Sequence, residues 1–82
     1  MKKYKLFTTP TCPSCPMVKE FMQEVELDGE HINAASPEGA EEAAKYEIKS
    51  VPTVIFLHEN DEVAAIAKSI NEIKRCLDES QN

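Results

Sequence analysis

Two cysteines separated by two residues, Cys12 and Cys15, are the side chains of this sequence best suited to chemistry. They fall where a strand predicted over 3–9 gives way to a helix predicted over 13–27. Two intervening residues in a first helical turn bring the sulfurs close enough to form a disulfide. The unpaired N–H groups and positive dipole of a helix N-terminus also favour a thiolate. The pattern predicts reversible thiol–disulfide chemistry, with Cys12 as the exposed nucleophile and Cys15 as the resolving thiol.

Three prolines surround these cysteines. Pro10 is expected to end the strand. Pro13 is expected in the first helical turn, where its fixed φ suits the helix and its missing N–H would have had no acceptor. Pro16 also falls within the predicted first turn and makes the rim of the site stiffer and more apolar. We expect it to influence which partner docks rather than whether the chemistry works.

The other predicted helices and strands must position the junction between the first strand and the first helix, where the two cysteines lie. Gly29 is expected to end the first helix, and Ser36 and Ser69 are expected to be the N-caps of two further helices. The helix after Ser36 begins with Pro37, a residue favoured at the first helical position. The order is β-α-β-α-β-β-α, with strands predicted over 3–9, 30–34, 53–58 and 63–67.

The alternation of strand and helix in the first part demands parallel strands joined by right-handed crossovers, and the hairpin that follows then adds an antiparallel edge. The run over 53–58 is almost continuously apolar, which is typical of a buried strand, and the next strand returns as a hairpin. The expected architecture is therefore an α/β domain with a four-stranded mixed sheet and helices on both faces. The 82 residues bound the chain to a single domain, 1–82.

The composition argues against several other classes of protein. The net charge of −6 argues against nucleic acid as a partner, because phosphate binding needs a basic face. No apolar run is long enough to cross a membrane, and the lysine-rich beginning lacks the apolar stretch of a signal peptide. We expect a cytoplasmic protein with no membrane partner, in a compartment where paired cysteines are usually catalytic or redox-sensing.

The segment YEIKSVPTVIF, residues 46–56, resembles the stretch of thioredoxins and glutaredoxins in which a Val-Pro or Ile-Pro pair precedes a central strand. With CPSC upstream and the same element order, the chain resembles this superfamily over nearly its whole length. The resemblance implies a thioredoxin fold and a cis Pro52 that faces Cys12 and Cys15. It also implies that the backbone of Val51 is free to pair with an extended substrate segment.

The resemblance implies a thioredoxin-like disulfide reductase that acts on disulfide-containing protein substrates. Its redox group is the Cys12–Cys15 pair itself, so no bound cofactor or metal is expected. A thioredoxin reductase or an equivalent electron donor must regenerate the dithiol, and we expect the chain to act as a monomer. The residues expected to contact substrate are Thr11, Pro13, Ser14, Val51 and Pro52.

Within the superfamily, the chain looks like a small thioredoxin with the dimensions of a glutaredoxin and a Cys-Pro-Ser-Cys motif. The length and Pro13 match glutaredoxins, but Ser14 stands where they typically carry Tyr, and the region AIAKSINE lacks their Gly-Gly pair. Leu6 stands where thioredoxins carry a buried aspartate that accepts a proton. One alternative is a glutathione-dependent reductase of glutaredoxin type, or an electron donor to ribonucleotide reductase. Another is a module that binds a metal or an iron–sulfur cluster, for which the sequence offers few further ligands.

Three other residues could carry chemistry but are interpreted as structural. Cys76 lies next to the predicted apolar face of the last helix and is interpreted as a small, partly buried apolar residue. His31 and His58 lie in strand-like runs, with no neighbour in the sequence that supports a site. Both are interpreted as structural or surface residues.

Overall fold

The computed structural model describes residues 2–81, with side chains described over 2–79. Its elements follow the predicted order β-α-β-α-β-β-α. No helix among the described residues is both long and apolar enough to cross a membrane. The strands are β1 (Lys3–Thr8), β2 (Asp28–Asn33), β3 (Thr53–Leu57) and β4 (Val63–Ala67), and the helices are α1 (Cys15–Gln23), α2 (Pro37–Lys45) and α3 (Ile70–Gln81).

The four strands form one mixed sheet in the order β2-β1-β3-β4. β1 and β2 are parallel, whereas β3 is antiparallel to both β1 and β4. The expectation that β3 continues the parallel arrangement is therefore wrong. The segment 46–52 returns the chain to the sheet end at which β1 finishes, since Thr53 pairs with Phe7. β3 then leaves from the same end as the cysteines, which places the residues before it beside them.

The helices cover both faces of the sheet, as predicted. On one face, residues of α1 and α3 pack against the sheet around Leu6, Val54 and Phe56. On the other face, Ala43 of α2 packs with Phe7 and residues of β3. Every residue of β3 is buried, which explains its continuous apolar run.

Helix α1 is shorter than predicted at both ends. It begins at Cys15, with Ser14 as N-cap, and ends at Gln23 instead of continuing to residue 27. The N–H groups of Glu24 and Val25 bond to carbonyls three residues back, at 3.2 Å each. Such bonds tighten and end a helix. Val25 and Leu27 lie beyond the end of the helix but still pack against the core on the α1 face, which explains why the apolar spacing continues past Gln23.

Gly29 lies within β2 and does not end a helix, contrary to the prediction; the C-cap of α1 is Glu24. Gly29 is the register partner of Tyr4, and a Cβ atom at this position would overlap the Tyr4 ring. The Tyr4 hydroxyl donates to the Met22 carbonyl at 3.4 Å. The glycine on the edge strand β2 therefore makes room for a ring that joins the central strand β1 to α1.

Serine caps fix the other two helices, as predicted. The Ser36 hydroxyl accepts from the Gly39 N–H at 3.0 Å, and the Ser69 hydroxyl accepts from the Glu72 N–H at 3.2 Å. Ser36 also donates to the carbonyl of Asn33, the last residue of β2, at 2.8 Å. This bond holds the start of α2 against the sheet end that carries the cysteines.

Candidate functional site

A disulfide joins Cys12 and Cys15 at the junction of β1 and α1. Their Cα atoms are 5.4 Å apart, within the range that a disulfide spans. Cys15 is the first residue of α1 and is 4% exposed, whereas Cys12 lies in the preceding loop and is partly exposed. An incoming group can therefore reach the Cys12 sulfur more readily than the Cys15 sulfur.

The loop places Cys12 at the N-terminal end of α1. The Cys12 N–H donates to the Thr9 carbonyl at 3.3 Å, which closes a turn through Pro10. Because Ser14 is the N-cap, Pro16 is the proline that lies in the first helical turn. Pro13 precedes the N-cap, so the expectation that it lies inside the helix is wrong. Pro16 occupies a position where a missing N–H costs the helix no bond.

The helix end gives Cys12 a favourable electrostatic environment. The first N–H groups of α1 have no helical acceptor, and the helix dipole is positive at this end. Ser14 makes no side-chain cap bond to these groups. A negative sulfur at Cys12 is therefore stabilised once the disulfide is reduced.

The segment before β3 contributes the second wall of the site. The Val51–Pro52 peptide bond is cis, as the resemblance implies. Pro52 lines a groove together with Ser14 and Met17 of the helix start and Ile70 of α3. Val51 lines an adjacent groove with Thr9.

Of the expected substrate contacts, Ser14 and Pro52 line one groove, whereas Val51 lines another. Val51 and Pro52 are partly exposed, and Ser14 is exposed. Thr11 and Pro13 flank Cys12 in the sequence and are exposed on the loop. All five side chains are at least partly accessible to an incoming chain.

A third groove, of about 330 Å³, has both cysteines in its wall. Its polar lining includes Thr8, Lys19 and His31. The Nε2 atom of His31 lies 2.5 Å from the Thr8 hydroxyl oxygen, within hydrogen-bond distance. His31 is exposed as a whole, but partial burial of its ring in the groove lowers its pKa from the usual value of 6.5, and the positive charge of Lys19 lowers it further.

The sequence interpretation missed the position of His31 beside the cysteines. His31 is the register partner of Leu6 on the parallel strand β1. Residues paired across two strands project from the same face of a sheet, so His31 shares the α1 face with Leu6. Knowledge of the register in which β2 pairs with β1 would have placed His31 beside the cysteines. The sequence alone did not supply the register.

Leu6 itself is 2% exposed and belongs to the core of the α1 face, with Val18 and Met22. The position that the resemblance assigns to a buried aspartate is therefore filled by an aliphatic side chain in an apolar environment. A side chain of this kind cannot accept a proton.

Cys76 lies on α3 and packs against the core of the α1 face, which agrees with its interpretation as a small apolar residue. Burial raises its pKa, and the negative charges of Glu79 and Glu72 raise it further. Its thiolate is therefore disfavoured. Among the described side chains, residues 2–79, no three His, Cys, Asp or Glu side chains are grouped to hold a metal ion.

The topology and the cysteine pair define the class of protein. The chain superimposes on thioredoxin 1 of the thermophilic eubacterium Thermosipho africanus with a TM-score of 0.69, covering 98% of this chain and 99% of that one at 24% identity. Its fold is thus the thioredoxin fold. A glutaredoxin family model matches residues 5–62, and the chain belongs to the glutaredoxin family.

Relatives with similar sequences carry thioredoxin names. The chain is 32% identical to a thioredoxin of Methanocaldococcus jannaschii, over 92% of this chain and 95% of that protein. It is 27% identical to the thioredoxin-like protein BC3987, whose structure has a TM-score of 0.64 over 89% of this chain and 97% of that one. Together with the Cys12–Cys15 disulfide, these similarities support a thiol–disulfide oxidoreductase.

Proposed function

We propose that the protein reduces disulfides in other proteins through a dithiol–disulfide cycle of Cys12 and Cys15. The observation that carries this proposal is the unequal exposure of the two sulfurs at the start of α1. In the reduced protein, the Cys12 thiolate attacks one sulfur of the substrate disulfide and the other sulfur leaves as a thiolate. The Cys15 thiolate then attacks the Cys12 sulfur, the Cys12–substrate bond breaks, and the second substrate sulfur leaves.

The segment before β3 binds the substrate chain beside the reactive sulfur. Pro52 offers no N–H, so an extended segment of substrate pairs with the backbone of Val51 instead. Thr11, Pro13 and Ser14 contact the same substrate from the cysteine loop. All three residues are exposed, which supports this arrangement.

The electrons come from outside the chain. Each turnover leaves Cys12–Cys15 oxidised, so a thioredoxin reductase or an equivalent donor must return two electrons. The disulfide is the redox group in this proposal, and no bound cofactor takes part. A reducing compartment such as the cytoplasm keeps Cys12 and Cys15 in the dithiol form. As a monomer, the protein leaves the site accessible to its substrates.

A second candidate is a glutathione-dependent reductase of glutaredoxin type, which includes a role as electron donor to ribonucleotide reductase. The match to the glutaredoxin family favours it. The groove that Ser14 and Pro52 share with the start of α3 offers space for a small thiol. The sequence AIAKSINE at this place lacks the paired glycines that the resemblance would lead one to expect, which disfavours it.

A third candidate, metal or iron–sulfur cluster binding, has the weakest support. Cys12 and Cys15 supply two soft ligands, whereas a closed zinc site needs four. Within the described side chains no third ligand completes a group. An absorption spectrum and a metal analysis of protein purified without oxygen would test this candidate directly.

The test of the proposed function is a disulfide-reduction assay with insulin and three electron donors in parallel. The donors are NADPH with a flavin thioredoxin reductase, glutathione with its reductase, and a ferredoxin-linked reductase. Turnover of insulin with the first or third donor supports the proposal. Turnover with glutathione only would establish the second candidate, and no turnover with any donor or with dithiothreitol would overturn the cycle.

A further inference from the structure

The proposed cycle requires Cys15 to lose a proton, and the structure restricts how it can do so. Only a thiolate attacks a disulfide, so the Cys15 thiol must be deprotonated before it displaces the substrate. Cys15 is 4% exposed, which limits direct contact of its sulfur with bulk water. The proton therefore leaves by way of the groups that line the groove next to Cys15.

Among the groups that line this groove, one side chain suits the task. Cys12 is occupied by the substrate at this stage, and the ammonium group of Lys19 has no lone pair to accept a proton. The amide of Asn33 and the hydroxyl of Thr8 are poor bases. The imidazole of His31 accepts and releases protons near neutral pH.

The position of His31 is fixed by contacts from the sheet. Thr8 is buried on the central strand β1, and its hydroxyl oxygen lies 2.5 Å from the His31 Nε2 atom. Leu6, the register partner of His31, is packed in the core beneath the same face. The ring is therefore held on the α1 face of the sheet, over the groove that Cys15 also lines.

The protonation state of His31 is suited to receiving a proton. Burial and the charge of Lys19 both lower its pKa below 6.5, so the ring is neutral at pH 7. The titratable groups that face it across the groove are Lys19 and Cys15 of α1 and Cys12 of the loop. The groove, of about 330 Å³, has room for water molecules that connect the thiol to the ring.

Resting on the dithiol cycle above, we propose that His31 accepts the proton that Cys15 loses when the mixed disulfide is resolved. The Cys15 S–H bond breaks and the proton passes to a ring nitrogen, directly or through one water in the groove. The Cys15 thiolate forms the bond to the Cys12 sulfur, and the Cys12–substrate bond breaks. The departing substrate thiolate takes the proton back from the imidazolium, which leaves protons and electrons balanced.

The two steps of the cycle can be timed separately with dithiobis(nitrobenzoate). Reduced protein carrying Cys76→Ser is mixed with an equimolar amount of this reagent in a stopped-flow spectrometer. Attack by Cys12 releases the first coloured thiolate, and attack by Cys15 releases the second. The variants are His31→Gln, which can still hydrogen-bond to Thr8 but cannot act as a base, and the matched control His58→Gln, on an exposed residue after β3.

We expect His31→Gln to slow the second release by about 10²-fold near pH 7, the lower end of what a positioned base contributes, and to leave the first release within about twofold. The deficit shrinks as pH rises and the thiol ionises unaided. Imidazole added to a His31→Ala variant restores the second release, which a purely structural role would not allow. His58→Gln matches the parent protein.

Three results would overturn the inference: a second release in His31→Gln as fast as in the parent, an equal slowing of both releases, or no rescue by imidazole. These results differ from failure of the dithiol cycle itself. If the parent protein gives a first release and no second one, Cys15 does not resolve the mixed disulfide, and the proposed function falls together with the inference. Urea midpoints of all variants show whether any rate loss reflects unfolding.

Discussion

Leu6 and His31 face each other across the parallel strands β1 and β2, on the face of the sheet that α1 covers. Leu6 is packed in the core at 2% exposure, while His31 is exposed at the edge of the groove. An aliphatic side chain thus occupies the core position, and a titratable one occupies the neighbouring edge position. Leu6 therefore contributes to packing. His31 is the residue that accepts the proton in the proposed resolution step.

The burial of Leu6 makes the stability of the domain sensitive to a carboxylate at this position. We expect Leu6→Asp to lower the free energy of unfolding by about 3 kcal/mol or more at pH 7, because a buried charge without a partner is costly and a cavity is left. Leu6→Met keeps the volume and should cost less than about 1.5 kcal/mol. Urea unfolding of both variants measures the difference, and equal losses would contradict the packing described here.

The unequal exposure of Cys12 and Cys15 leads to a second prediction. Cys12→Ser should abolish insulin reduction, because the variant lacks the sulfur that substrates can reach. Cys15→Ser should keep the attacking thiol and accumulate mixed disulfides, visible as mass shifts in non-reducing mass spectrometry. Cys76→Ser, on a packed thiol whose pKa is raised by burial, is the control and should leave turnover unchanged. Full turnover by Cys12→Ser would refute the assigned roles.

The sequence predicted the element order, the two serine caps and both covered faces, because these follow from local periodicity and capping. It did not predict the direction of β3 or the end of α1. The direction depends on the path of segment 46–52, in which Tyr46, Ile48 and Val51 pack against the core on the α2 face, and helical or strand periodicity does not report such packing. The end of α1 is set by bonds from Glu24 and Val25, while apolar spacing continues beyond them.

For the site, the sequence predicted residues that belong to recognisable motifs and missed one that only the pairing of the strands brings to the site. Cys12 and Cys15 stand in a recognisable spacing, and Pro52 stands in a recognisable segment. His31 belongs to no motif and reaches the site only through its register with Leu6. A one-residue shift of that register would place it on the opposite face, so periodicity alone could not assign it.

The Lys5–Glu42 ion pair joins the central strand to α2, with an Nζ–Oε2 distance of 2.7 Å. The hydrogen bond to Lys5 lowers the pKa of Glu42 from 4.5, and the hydrogen bond to Glu42 raises the pKa of Lys5 from 10.5. Stability from Glu42 is present above pH 4.5 and is lost as pH falls through its lowered pKa. Stability from Lys5 is present below pH 10.5 and is lost as pH rises through its raised pKa.

Between these limits we expect the pair to contribute less than about 1 kcal/mol, because both side chains are partly exposed to water. A double-mutant cycle with Glu42→Gln and Lys5→Met, followed by urea unfolding, measures the coupling. It should be present at pH 7 and should disappear as the pH falls below 4.5 and through the lowered pKa of Glu42. Coupling that persists unchanged in acid would show that packing, not charge, joins the two residues.

The close approach of Gly29 and Tyr4 gives a prediction about the edge strand. Gly29→Ala should lower the free energy of unfolding by about 1–2 kcal/mol, since the added Cβ displaces the Tyr4 ring and its bond to the Met22 carbonyl. In a Tyr4→Ala background, the same substitution should cost little, because the overlapping ring is absent. Thermal unfolding of the four proteins measures this, and an equal cost in both backgrounds would disprove the proposed overlap.

Pro16 lines the groove next to the disulfide and is exposed in the first turn of α1, so it is placed to meet partner proteins. Pro16→Lys adds a positive charge to this rim. We expect reduction of a small disulfide to change by less than about threefold, while KM for a thioredoxin reductase changes by about fivefold or more, since rim charges mainly alter encounter with a partner. Gln23→Lys adds the same charge at the other end of α1 and should change neither value. A reductase KM that responds equally to both variants would show that net charge, not the position of Pro16, governs docking.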